Sequence, residues 1–213
     1  MSSLDRKKRL AIVGCGSSGL VTLKYALETM PDWEVVAFEK SDNIVGCWGR
    51  PPKGFVSTST KYATQFACYE RYDAKMHRSK SIPFADYFRD DEYGRYLEDF
   101  ADAFSLRQHI VCNCDVESIF RTDDDNWRIN RRTDGRLSEE CFAAVIICTG
   151  LVDQPKEIED CDVPVLRSVR DAKSVRGKTV VVTGGGESAV DVAQRLADPE
   201  LHNTVYLSLR SGV

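Results

Sequence analysis

The sequence predicts an α/β protein: a parallel sheet flanked by helices, a small antiparallel side sheet, and then the start of a second unit of the same parallel kind. Three observations carry this expectation. A short apolar run, a glycine-rich turn and an amphipathic helix follow one another between Arg9 and Lys40. The same order restarts at Thr179. Between the two lie short strand-like runs separated by acidic or Asp-Gly turns.

Leu10-Ala11-Ile12-Val13 is too short for a helix and suits a buried parallel strand. Gly14-Cys15-Gly16-Ser17-Ser18-Gly19 follows, then a helical stretch with apolar Leu20, Leu23, Ala26 and Leu27, ended by Pro31 and Asp32. Trp33 to Phe38 reads as a second strand, with Glu39 at its C-terminal end. Each part of this Rossmann-like unit has a physical role in holding a dinucleotide. Gly14 permits the tight turn, Gly16 lets a pyrophosphate approach the backbone, and Gly19 lets the helix pack on the strand. The helix N-terminus offers N–H groups and a partial positive charge to phosphates. Glu39, 20 positions past Gly19, stands where a carboxylate accepts hydrogen bonds from ribose hydroxyls. Ser18 and Lys40 flank these groups and belong to the same candidate set.

The loop from Ser41 to Gly49 is rich in turn formers. Arg50 to Arg89 has no sustained period but contains Pro51-Pro52, several aromatics and Ser57-Thr58-Ser59-Thr60, which predicts an ordered loop lying over a ligand. Tyr93, Tyr96, Leu97, Phe100 and Phe104 recur at helical spacing, so Glu92 to Phe104 is an amphipathic helix. Ile110 to Phe120 and Trp127 to Asn130 read as strands joined by an acidic turn over residues 122–126. A turn at Thr133-Asp134-Gly135 leads to an apolar strand from Phe142 to Cys148, completing an antiparallel meander. Thr149-Gly150 closes that strand. The polar connection with Pro155 and Pro164 marks a boundary between a first domain, 1–150, and a second segment, 151–213.

In the second segment Thr179 to Thr183 is a strand, Gly184-Gly185-Gly186-Glu187-Ser188-Ala189 a turn, Val190 to Ala197 a helix stopped by Asp198-Pro199, and Thr204 to Leu209 the next strand. Gly184, Gly186, Ser188 and Ala189 stand where the first turn has its nucleotide-facing residues. Gly14 to Glu39 is 25 positions, and so is Gly184 to Leu209. Where the first copy carries a carboxylate, the second has an apolar residue followed by Arg210. A carboxylate repels a ribose 2′-phosphate and a guanidinium pairs with it. The first unit therefore suits FAD or NAD and the second NADP; a solvated strand-end arginine is the alternative for Arg210. Two cofactors in one chain point most simply to hydride transfer from NADPH to a flavin.

Composition agrees with an ordinary globular protein. At 213 residues the chain can bury a sizeable core. A formal net charge of −4 argues against a nucleic-acid binder. No apolar run is long enough to cross a bilayer, and the opening MSSLDRKKRL carries no signal-peptide apolar region, so the expected location is cytoplasmic. None of the eight cysteines forms a CxxC pair, so reduced thiols and no metal site are expected. On one strand, Cys112 and Cys114 would share a face. His77, His109 and His202 are scattered, without a catalytic pairing.

Taken in order, RLAIVGCGSSGL, FEKSDNIVGCWG, YGRYLEDFADAF, AAVIICTG and TVVVTGGGESAVDVA resemble the class B flavin-containing monooxygenases across nearly the whole chain. The resemblance implies FAD in the first unit and NADPH in the second. Gly46, Trp48 and Gly49 match a GGxW-like loop beside the flavin, with Cys47 in place of the second glycine. Thr149 and Gly150 match the threonine-glycine signature joining the nucleotide domains. Val116 would touch the adenine end of FAD through its backbone, a plain strand residue being the alternative. The implied reaction is reduction of FAD by NADPH, addition of O2 to give a C4a-hydroperoxyflavin, and oxygen transfer to a nitrogen or sulfur nucleophile.

Three features depart from that family. An asparagine near the flavin is replaced in Val56-Ser57-Thr58-Ser59-Thr60, where Thr58 or Ser59 would take its place as the hydrogen-bond donor. Arg167, before Ser168, stands where the family has a histidine. The sequence ends at Val213, just after the second strand of the NADP unit, which predicts an unpaired sheet edge and self-association. Other readings are a flavin-dependent NADPH reductase, a Baeyer–Villiger monooxygenase, and a non-catalytic flavin-binding or interaction fragment.

Overall fold

The computed structural model describes residues 7–73, 85–151, 161–166, 172 and 174–210; His77, Pro155, Arg167 and Ser168 lie outside them. The chain divides into two compact units, Met1–Leu151 and Val152–Val213. In order, the first contains β1 (Arg9–Val13), α1 (Ser17–Thr29), β2 (Glu34–Phe38), β3 (Val56–Thr60), a short α2 (Lys61–Thr64), β4 (Tyr87–Arg89), α3 (Glu92–Ala103), β5 (Ile110–Val111), β6 (Cys114–Arg121), β7 (Trp127–Thr133), β8 (Arg136–Phe142) and β9 (Ala144–Ile147). The second contains β10 (Thr179–Thr183), α4 (Glu187–Leu196) and β11 (Thr204–Ser208).

A parallel sheet in the order β5-β2-β1-β9 forms the centre of the first unit. Side chains alternate across a strand, so this sheet has two apolar faces. Leu10, Ile12, Val35 and Ala37 join one core with Leu20 and Leu23 of α1 and Tyr96, Leu97 and Phe100 of α3. Ala11 and Phe38 join another with Cys114, Ile129 and Phe142 of the antiparallel sheet β6-β7-β8. Phe38 and Phe142 meet edge-on, ring centroids 5.9 Å apart. The Asp134-Gly135 turn has left-handed backbone at both residues (φ +48° and +79°), the geometry that suits the twist of a two-residue hairpin.

Four local expectations need correction. The single strand over 110–120 is broken, because Asn113 takes a left-handed φ of +52° and its N–H turns back to Ser41 O at 3.0 Å. Cys112 therefore packs on the helix-side core and Cys114 in the meander-side core, not on one face. The strand over 142–148 is two: Phe142 ends β8, and β9 pairs with β1 after Ala143 donates to Arg9 O at 2.9 Å. Within 50–89, the loop contains the antiparallel pair β3–β4 and α2. In the second unit α4 begins at Glu187, earlier than the apolar spacing alone indicated.

The two βαβ units share one register. Arg9 pairs with Glu34 and Thr179 with Thr204, each across 25 positions. Val182, Leu196 and Ala172 form the second unit's small core. The directly paired Val181 and Tyr206 alternate away from Val182 and are exposed.

Gly19→Ala would put a methyl 1.8 Å from the Gly14 carbonyl oxygen, a backbone clash expected to cost at least about 3 kcal/mol. Gly186→Ala meets no atom within 4 Å and costs about 1 kcal/mol as a lost N-cap glycine; thermal unfolding of the two variants checks the contrast. A second measurement concerns Glu140, which accepts from Arg9 Nη2 at 2.8 Å and Arg131 Nε at 2.8 Å. Burial opposes its ionisation, but the two guanidinium groups outweigh it and hold the carboxyl below its ordinary value of 4.5. Its stabilisation is therefore present above pH 4.5 and lost as pH falls through the lowered value. Urea unfolding should show the wild type exceeding Glu140→Gln above pH 4.5, with the gap closing on acidification.

Candidate functional site

The turn between β1 and α1 is held from three sides. Gly14 N–H donates to Phe38 O at 2.8 Å, tying it to β2. On the other side a Cβ at Gly14 would lie 2.5 Å from Cys148 O and 3.3 Å from Thr149 Cα, so the end of β9 closes directly over the turn. At Gly19 a Cβ would sit 1.8 Å from Gly14 O, so the helix rests on the turn backbone. Gly16 caps α1 in extended conformation, and the helix has no side-chain cap and no acid in its first turn. Its first-turn N–H groups, Ser18 among the residues bearing them, keep the positive end of the helix open to an anion.

Glu39 is 8% exposed and lies against this turn. Its Oε2 accepts from Cys15 N–H at 2.7 Å, and its Oε1 accepts from Ser41 N–H at 2.9 Å and Ser41 Oγ at 2.6 Å. A carboxylate has about four acceptor positions, so these three donors leave capacity for a ligand hydroxyl. The backbone is fixed too: Glu39 N–H donates to Val111 O and Glu39 O accepts from Cys114 N–H. Burial, with the adjacent Glu39 charge, pushes the Cys15 thiol well up, which makes it a poor nucleophile.

The segment Gly46–Gly49 forms a 3-10 turn that faces the glycine turn. Gly46 has φ +56°, and a Cβ there would lie 3.1 Å from Gly16 Cα. Trp48 meets Tyr93 edge-on at 4.9 Å and Phe55 at 5.9 Å. Its carbonyl sits over Gly94 of α3, where a Cβ would be 2.8 Å away. Burial pushes the Tyr93 hydroxyl upward. Sequence reading missed Ser41, Tyr93 and Gly94 as parts of this arrangement. The one available signal was Gly94 itself, since a glycine inside an amphipathic helix costs about 1 kcal/mol and calls for a packing reason.

The structure thus brings together Gly14, Gly16, Gly19, Glu39, Gly46 and Thr149. Trp48 joins them through its own segment, and Gly150 follows Thr149 as an exposed residue. Val116 is half-buried on β6, two positions after the Cys114 that bonds Glu39 O, and packs in the core that contains Phe38. Lys40 is exposed, 3.6 Å from Asp115 Oδ2. Thr58 and Ser59 are not in the group. Both are exposed on β3, which pairs with β4 and follows Phe55, the residue that touches Trp48.

The second unit repeats the backbone and changes the chemistry. Gly184 N–H donates to Ser208 O at 2.9 Å, the counterpart of the Gly14–Phe38 bond. Where Glu39 reaches Cys15, Leu209 reaches Gly185, whose Cβ would lie 2.8 Å from Leu209 Cδ2. Gly186 caps α4, Ser188 is exposed, and Ala189 packs on the small core. Unlike α1, α4 carries an acid, Glu187, in its first turn. Arg210 is exposed two positions beyond Ser208. Among the described residues no group of His, Cys, Asp and Glu could hold a metal ion, and no helix is long and apolar enough to cross a membrane.

A parallel α/β unit with an antiparallel side sheet, followed by a second βαβ unit in the same register, defines a protein of the two-dinucleotide-fold class. The chain belongs to the Flavin-binding monooxygenase-like family, which matches residues 7–213. It is 34% identical over 198 residues to Monooxygenase PC-14 of Penicillium crustosum, covering 87% of this chain and 33% of that protein. It is 29% identical over 228 residues to Flavin-containing monooxygenase 1 of Oryctolagus cuniculus, covering 96% of this chain and 40% of that protein. Among solved structures, its fold is similar to S-allyl-L-cysteine S-oxygenase from Allium sativum, with TM-score 0.75 and 20% identity over 97% of this chain and 52% of that one. The chain thus spans a third to two fifths of the length of these two curated relatives.

Gly46→Ala tests the approach of the two turns. Left-handed backbone and the 3.1 Å contact should cost about 1–2 kcal/mol. Because the damage lies at the turn, adenosine diphosphate affinity should fall as well, as calorimetry would show.

Proposed function

We propose that the first unit holds FAD, that the second holds NADPH, and that the parent activity is oxygenation of a nitrogen or sulfur nucleophile with O2. The observation that carries this reading is the contrast between corresponding positions. A buried carboxylate lies against the first turn at Cys15, whereas an apolar side chain followed by Arg210 closes the second. Family membership and the fold shared with an enzyme named as an S-oxygenase support it.

The residues present fit a dinucleotide at the first turn. Gly16 and Gly46 leave a strip of bare backbone, the start of α1 offers N–H donors to a pyrophosphate, and Glu39 retains acceptor capacity for a ribose hydroxyl. Lys40 and the backbone of Val116 would flank the adenosine, while Thr149 and Gly150 would border the opposite side. Trp48, backed by Tyr93 and Phe55, would shield the site from water. In the second unit Gly184, Gly186, Ser188 and Ala189 would line the phosphates and Arg210 would meet the 2′-phosphate. Thr58 or Ser59, on β3, would supply the hydrogen-bond donor that takes the place of the family's asparagine. When bound, FAD reduced by NADPH supplies the electrons that activate O2. The same reading puts the protein in the cytoplasm, where reduced thiols persist, and includes self-association through an edge of the two-stranded β10–β11 sheet.

Reconstitution with FAD should give a yellow protein that NADPH bleaches anaerobically and O2 recolours. Arg210→Ala should lower the preference for NADPH over NADH about tenfold, the loss of a charged hydrogen bond. Failure to retain FAD, or equal use of NADH and NADPH by the unaltered chain, would overturn the reading.

A further inference from the structure

We propose that Ser41 is a positioning residue that aims the Glu39 carboxylate at a ribose 2′-hydroxyl, so that the selectivity of the first site depends on a serine outside the glycine turn. This rests on the reading of that site as adenine-dinucleotide binding. Two donors of the same residue converge on one oxygen, Ser41 N–H at 2.9 Å and Ser41 Oγ at 2.6 Å from Glu39 Oε1. Cys15 N–H, at 2.7 Å, holds the other oxygen. With both oxygens held, rotation of the carboxylate breaks at least one bond, so its remaining acceptor directions are set before a ligand arrives.

Ser41 is itself held in place. Its carbonyl accepts from Asn113 N–H at 3.0 Å, and its hydroxyl is 2.9 Å from Asn43 O, an alternative acceptor for the same proton. The left-handed turn at Asn113, which breaks the β5–β6 run, is what brings that N–H to Ser41. Removing the hydroxyl would leave the main-chain bond and the Cys15 bond in place, so the carboxylate stays near the turn but loses its shortest restraint. A ligand then gains less from its 2′-hydroxyl, because the carboxylate must be ordered on binding.

A cycle that pairs the serine hydroxyl with the ligand hydroxyl isolates this effect from general damage. The full chain and Ser41→Ala are each titrated with adenosine diphosphate and with 2′-deoxyadenosine diphosphate by calorimetry, and Ser41→Thr serves as the conservative rescue. In the unaltered chain, loss of the 2′-hydroxyl should weaken binding about tenfold. In Ser41→Ala that penalty should shrink to about twofold, and Ser41→Thr should restore most of it. A purely structural role for Ser41 would weaken both ligands by one factor and leave the penalty unchanged, which overturns the proposal. An unaltered chain that binds adenosine diphosphate without preferring the 2′-hydroxyl overturns it too, while leaving the turn as a nucleotide site. An unaltered chain that binds neither ligand overturns both the proposal and the site.

Discussion

A helix can rest on the turn that delivers it only where nothing projects between the two. At Gly19 that condition is absolute, since any β-carbon would lie 1.8 Å from the carbonyl oxygen of Gly14. The contact sets how α1 lies over the parallel sheet, and with it the burial of Leu20 and Leu23 against Leu10 and Ile12. It also leaves the first turn of α1 directly over the glycine loop. Gly14 carries the constraint further, because its missing side chain is what lets Cys148 and Thr149 close from the β9 side. Helix placement and the location of the uncapped start of α1 thus follow from one close approach of backbone to backbone.

Around that contact the protein builds a wall from parts distant in sequence. Trp48 leans on Tyr93 and Phe55, and its carbonyl fits over Gly94 in α3. Tyr93 in turn stacks on Tyr96 of the same helix. Beyond it the rings of Phe88, Tyr96, Phe66 and Phe100 continue the packing, and burial pushes the Tyr96 hydroxyl up to about 12. A hydroxyl so placed stays protonated and serves as a hydrogen-bonding strut: it accepts from Phe66 N–H and donates to Tyr69 O. Aromatic mass here sets the shape of the site and adds no acid–base chemistry.

The two βαβ units show how one backbone arrangement can present opposite chemistry. Their strand registers match, and each first glycine donates to the strand-end carbonyl just before the position at which the two units differ. At that position one unit puts a carboxylate beside the turn and the other packs a leucine on a glycine. A buried charge must be hydrogen-bonded to be tolerated, so Glu39 requires the donors that surround it. Leu209 needs only the space that Gly185 leaves. Glu187 adds a further asymmetry, as it places negative charge at a helix start that has no counterpart in α1.

The local elements were legible in the sequence because neighbouring residues determine them. An apolar run bounded by glycine specified β1, helical spacing specified α3, and Asp134-Gly135 specified its hairpin. Family resemblance grouped Gly46 and Trp48 with the first turn, and the structure sets Gly46 against Gly16. Contacts between segments far apart in the chain were not legible. Asn113 breaks a strand because its N–H finds Ser41, and Ala143 divides a strand because the chain there passes from the meander to the edge of β1. Residue type and spacing thus determined the two units and their carboxylate–guanidinium contrast. Tertiary structure alone decided that Cys15 and Ser41 fix Glu39 and that Gly94 receives Trp48, because a hydrogen-bond partner or a missing side chain acquires its role only when the chain folds another segment against it.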